Sequence, residues 1–176
     1  MNTRQCLASD ILPTQFVYSA QTISVCMGSF SVELRLIISL FDKDYPIICW
    51  ACHRLLAIPS PANPSYTPSE LLHQLELSKS TIIITHSSTL KTALAASAQA
   101  GLTLDRIILV DPCPSPDSES DYRYPTVDEL IQDGLVNKPS FVERHLNAGE
   151  SRTKLSYLCF SSGTTGKPKA CIQTLL

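Results

Sequence analysis

A chain of 176 residues, 44% hydrophobic and 17% charged, is long enough for one domain with a real core and has the composition of a globular protein. A net charge of −2 gives no electrostatic reason to expect nucleic acid or an anionic membrane as a partner, so any basic site is local. The most apolar stretch, residues 47–58, is short and interrupted by His53 and Arg54, which argues against a membrane span. The first residues lack the continuous apolar run of a secretory signal, so a cytoplasmic location is expected. The seven cysteines, an odd number, are then expected to be mostly reduced thiols serving as small core residues.

Residues 1–40 have no assignable place as a unit, although Glu33 to Leu40, "ELRLIISL", reads as a strand. A helix-compatible stretch runs from Asp42 to Ala57, and its aromatic and branched apolar residues point to burial. Pro59, Pro61, Pro64 and Pro68 then force an extended connection. Thr67 begins a helix: it can cap, Pro68 suits the first helical position and Glu70 closes a capping box. Leu71, Leu72 and Leu75 supply the buried face, with Leu77 at its margin.

Thr81 to Thr85, "TIIIT", is a β-branched run suited to a central parallel strand. The alanine-rich stretch Ser87 to Ala100 predicts a helix stopped by Gly101, and Arg106 to Val110, "RIILV", predicts the next strand. Strand and helix alternating at short intervals predict an α/β fold with a mostly parallel sheet. Asp111 to Pro125 is rich in proline and acids and reads as a surface loop, with Asp117, Glu119 and Asp121 as a solvated acidic patch. Thr126 to Glu129 again has capping-box spacing, predicting a short helix to Asp133 ended by Gly134. Leu155 to Phe160, "LSYLCF", predicts a strand that delivers the chain to its closing loop.

That loop, "SSGTTGKPK" from Ser161 to Lys169, is where chemistry is expected. Hydroxyl donors line it, Gly163 and Gly166 let backbone N–H groups approach an anion closely, and Lys167 and Lys169 add positive charge. Together they suggest a polyphosphate site, against the alternative of a plain polar hairpin loop. A Walker A loop would need Gly at Ser161 and Ser or Thr at Pro168, so that reading fails.

Elsewhere, Cys49-Trp50-Ala51-Cys52-His53 matches the C-x-x-C-H pattern of covalent haem attachment, but small core cysteines in a packed helix are the expected reading. His53, His73, His86 and His145 have no metal-ligand spacing, and Ser87-Ser88 lacks a hydrolase nucleophile's setting. No metal ligand and no catalytic residue is assigned.

The ordered string at Ser161 resembles the signature of the adenylate-forming superfamily, usually a Ser-Ser-Gly-Thr-Thr-Gly-x-Pro-Lys-Gly run, from which this chain departs at Ala170. "DYPIICWACHRLLAIPSPANPSYTPSEL" and "TVDELIQDG" extend the likeness to 4-coumarate:CoA ligase-like enzymes, fungal ones in particular. The resemblance implies that residues 41–176 are a truncated ligase N-terminal domain ending just after the phosphate loop. It also implies activation of a carboxylic acid with ATP and Mg2+, then transfer to coenzyme A. Ser161, Ser162, Gly163, Thr164, Thr165 and Lys169 would contact the ATP phosphates, and Gly166, Lys167 and Pro168 would shape the loop. The family keeps much of its active site downstream of this loop, so the expectation is a chain that grips ATP or pyrophosphate without completing the reaction. Two alternatives stand beside it: a non-catalytic paralogue partnering a full-length ligase or itself, and a weak nucleotide-binding module.

Overall fold

Four parallel strands form the main sheet in the spatial order β2-β1-β3-β4: β1 is Arg35–Ser39, β2 Ile58–Ala62, β3 Ile82–Thr85 and β4 Ile107–Leu109. The computed structural model describes residues 35–39, 45–112, 123–137, 145–161 and 169–174. The expected acidic patch at Asp117, Glu119 and Asp121 lies outside them. Helices α1 (Tyr45–Arg54), α2 (Pro68–Ser78), α3 (Leu90–Ala100) and α4 (Val127–Asn137) complete the first part of the chain. The α/β class and the parallel sheet predicted from the alternation are what is found, and β1 carries the sheet back before residue 41.

The chain steps outward from β1 to β2, then jumps back over β1 to β3 and on to β4, so the single reversal puts α1 on one face of the sheet and α2 and α3 on the other. Strand β3 shows the result directly. Ile82 and Ile84 face one way, into a core with Ile48 and Cys52 of α1 and with Val127, Leu130 and Ile131 of α4. Ile83 faces the other way, onto Leu71 and Leu75 of α2 and Leu90, Ala93 and Ala96 of α3. With helices on both sides, all three isoleucines are at most 1% exposed, and each contributes roughly 1.5–3 kcal/mol by burial. A run without polar alternation is what such a doubly covered strand requires.

The helix ends follow their local chemistry. The Glu70 amide donates to Thr67 Oγ1 at 3.4 Å while Thr67 N–H donates to Glu70 Oε2 at 2.8 Å. The same reciprocal pair joins Thr126 and Glu129 at 3.2 and 3.0 Å. Gly101 ends α3 with φ +74°, a left-handed conformation that costs a residue with a Cβ about 1–2 kcal/mol.

Several expectations are corrected. Residues 58–62 are not a mere connection: they form β2, paired along its length with β1. Their prolines are tolerated because β2 is the outer strand of this sheet, where missing N–H donors break no second ladder. Helix α1 spans Tyr45–Arg54, Leu55 and Leu56 turn away from it, and Trp50 stands 53% exposed between buried neighbours. Helix α3 is preceded by a 3-10 turn at Ser87–Thr89. Leu77 is exposed, and Gln74 and Ser78 occupy the buried face instead. Helix α4 continues through Gly134, which is itself buried, because Leu135 still packs on the core beyond it. The segment after β4 is not all surface: Tyr124 is buried, and Thr126 bridges to Leu109.

At the carboxyl ends of β3 and β4, Asp111 gathers three donors: Ser87 N–H at 2.9 Å, Ser87 O–H at 2.6 Å and His86 Nδ1 at 2.9 Å. Burial pushes the Asp111 carboxyl up, but the Ser87 hydrogen bonds and the adjacent His86 outweigh it and hold the group below its ordinary value. A depressed carboxylate contributes stability that is present above its unfolded pKa and lost as pH falls through the folded one. Asp111→Asn is therefore expected to destabilise the protein at about pH 7 and to cost less at about pH 2, well below the ordinary carboxylate range. Urea denaturation at both values checks this; equal losses would show that the carboxylate is not linked to folding.

Candidate phosphate site at the β5–β6 hairpin

The second sheet is a two-stranded antiparallel hairpin, β5 (Leu155–Ser161) with β6 (Lys169–Thr174). It places the two ends of the hydroxyl-rich loop together: Ser161, the last residue of β5, is the Cα partner of Lys169, the first of β6. Both are exposed. Directly opposed residues of an antiparallel pair share a face, so the hydroxyl and the ammonium project to the same side. Among the described residues no carboxylate pairs with Lys169. The other predicted site residues, Ser162, Gly163, Thr164, Thr165, Gly166 and Lys167, lie outside the described residues, as does Pro168.

The hairpin is fixed to the α/β layers by polar contacts that sequence reasoning missed. Ser60 of β2 donates its hydroxyl to the Leu158 carbonyl at 2.9 Å. Gln74 of α2, 1% exposed, donates Nε2–H to Ser60 Oγ and to the Pro61 carbonyl, each at 3.0 Å. One helix, one edge strand and the hairpin are thus joined through a single hydroxyl. A polar residue within "ELLHQLELS" was the available signal, since Gln74 falls on the helical face defined by Leu71 and Leu75.

A second tie comes from α1. His53 Nε2–H donates to the Ser156 carbonyl at 3.1 Å, and its ring meets Tyr157 edge-on with centroids 4.9 Å apart. Burial and the neighbouring Cys49 thiol push the Tyr157 hydroxyl well above its ordinary value, so it stays neutral there. Burial likewise raises Cys49 and Cys52. The C-x-x-C-H residues are therefore engaged in packing α1 and seating β5, as the packed-helix reading expected.

The family described as AMP-binding enzyme matches residues 43–175. The chain belongs to that family. Among curated relatives, the acyl-CoA ligase AFT1-1 of Alternaria alternata is 35% identical over 126 residues, covering 72% of this chain and 21% of the relative. The acyl-CoA ligase cm3C of Cordyceps militaris is 29% identical over 162 residues, covering 90% of this chain and 24% of the relative. Of solved structures, a long-chain-fatty-acid-CoA ligase from Archaeoglobus fulgidus superposes with a TM-score of 0.71 at 22% identity, over 93% of this chain and 29% of that one. A red-emitting luciferase from Phrixothrix hirtus gives 0.69 at 20% identity, over 93% and 30%. These establish an adenylate-forming fold, and the chain spans less than a third of each of these four proteins.

No described helix is long and apolar enough to cross a membrane.

Ser60→Ala tests the seating of the hairpin. It leaves the buried Leu158 carbonyl without this donor and is expected to destabilise the protein by about 1–3 kcal/mol. Amide exchange of Leu155–Ser161 should accelerate more than that of β3. Uniform acceleration would mean that Ser60 supports the whole domain rather than the hairpin.

Proposed function

We propose that this chain supplies the phosphate-holding part of an ATP-dependent acid:CoA ligase. Such an enzyme joins a carboxylic acid to ATP, releases pyrophosphate and passes the acyl group to the thiol of coenzyme A. The observation that carries the reading is the pairing of Ser161 with Lys169, which brings the ends of the signature sequence together at the head of an anchored hairpin. The family match and the fungal acyl-CoA ligase relatives support it.

In this reading Ser161, Ser162, Gly163, Thr164, Thr165 and Lys169 contact the phosphates of ATP, while Gly166, Lys167 and Pro168 shape the loop. A hydroxyl donor and an ammonium on one face suit phosphate oxygens, since charge-assisted hydrogen bonds are among the stronger ones available. The same donors would offset charge accumulating on the departing pyrophosphate as the acyl-adenylate forms. Mg2+ and coenzyme A come with the family. Among the described residues no group of three or more His, Cys, Asp and Glu could hold a metal ion, so no side chain here is assigned to Mg2+.

The phosphate grip accounts for one part of catalysis. Holding acid and ATP in reacting geometry and stabilising the developing charge are separate contributions, each of several kcal/mol. The 176-residue polypeptide is therefore expected to bind polyphosphate without completing acid activation. Incubated with ATP and a panel of aryl and fatty acids, it should release no pyrophosphate above background; turnover with any acid would refute this.

Calorimetry with ATP or pyrophosphate tests the grip itself. Lys169→Ala should weaken binding by about tenfold or more, the effect of losing one hydrogen bond to a charged group, and Lys167→Ala by clearly less. The reason is that Lys169 is the lysine the family signature retains, whereas Lys167 stands at its variable position. Equal losses would reject the assignment.

A further inference from the structure

The antiparallel register that opposes Ser161 to Lys169 also opposes Cys159 to Cys171, two residues further down each strand. Directly opposed residues in an antiparallel pair have Cα atoms about 4.5–5.5 Å apart, inside the range of roughly 4.4–6.8 Å that a disulfide spans. Both thiols are free, Cys159 half-buried and Cys171 exposed. They share a face, and that face also carries the site: Cys171 Sγ lies 3.8 Å from Ser161 Oγ.

We propose that Cys159 and Cys171 are a reversible redox pair whose disulfide staples the neck of the phosphate-loop hairpin. Exposed Cys171 meets the oxidant, a low-molecular-weight disulfide such as oxidised glutathione. Its thiolate attacks one glutathione sulfur, the S–S bond breaks and one glutathione thiolate leaves. The Cys159 thiolate then attacks the Cys171 sulfur of the mixed disulfide and expels the second glutathione. Two cysteine thiols are oxidised, one glutathione disulfide is reduced to two thiols, and both protons pass to the departing thiolates.

The remaining described cysteines are placed differently. Cys49 and Cys52 lie in the helix core, at 2% and 3% exposure, where an oxidant does not reach them. Burial, followed by the neighbouring Cys171, raises the Cys159 thiol, which fits a group that resolves a mixed disulfide rather than one that initiates attack. In a reducing compartment a bond of this kind is transient and responds to the thiol pool. Its formation would fix the β5–β6 register on both sides of the loop.

Peptide mapping tests the proposal on the intact chain. After incubation with oxidised glutathione and acid quenching, tryptic cleavage at Lys169 puts the cysteines in separate peptides, 155–169 and 170–176. The expected product is these two peptides joined by a disulfide that dithiothreitol reverses. Cys159→Ser should stop at glutathionylated Cys171, and Cys171→Ser should leave Cys159 largely unmodified. Amide exchange in β5 and β6 should slow by about tenfold in the oxidised chain, with β3 unchanged. Glutathionylated Cys171 accumulating beside a free Cys159 in the wild type would overturn the proposal. So would equal yields of the 159–171 link from native and urea-unfolded protein, because the folded register would then play no part.

Discussion

The hairpin's tie to the edge of the main sheet runs through one buried hydroxyl. Ser60 receives a hydrogen bond from Gln74 and gives one to Leu158, so the hairpin is held by a group that is itself held by a helix. The arrangement needs β2 at the outer edge of the main sheet, where a side chain can reach the neighbouring hairpin rather than another parallel strand. It also needs Gln74 on the buried face of α2, where an amide without partners would be strongly unfavourable. Each element that looks irregular in the sequence, a strand containing prolines and a glutamine among leucines, is accounted for by the other.

Much of the fold was legible because it rests on local chemistry. The "TIIIT" run, the capping boxes at Thr67 and Thr126, and the stop at Gly101 each express a backbone preference or a reciprocal hydrogen bond, and each is found where expected. What escaped was set by tertiary context. Pro59 and Pro61 argued for a connection, yet an edge strand accepts them. Gly134 argued for a helix end, yet burial and the packing of Leu135 carried α4 past it. Of the candidate site, the sequence supplied the residue types and their order. The pairing of Ser161 with Lys169 comes from strand register, and nothing in the loop itself reveals the support from Ser60, Gln74 and His53.

The same contrast separates the two cysteine pairs. Cys49 and Cys52 form the more conspicuous motif, yet a packed helix takes up both as apolar volume. Cys159 and Cys171 form no recognised motif, but an antiparallel ladder makes them direct neighbours. Spacing along a chain and proximity across a sheet are independent kinds of information, and only the second bears on reactivity here.

The two ties to the hairpin also have a consequence for chain entropy. His53 and Ser156 are 103 residues apart in sequence, and Ser60 and Leu158 are 98 apart. Closing a loop of that size costs on the order of 4 kcal/mol, from (3/2)RT ln n, before any constant is added. Because the loops are nearly the same, whichever tie forms first bears most of that cost and the other follows with little further loss of freedom. The hairpin is thus seated by two contacts acting as a cooperative pair, each weak alone against the entropy of docking and each made effective by the other.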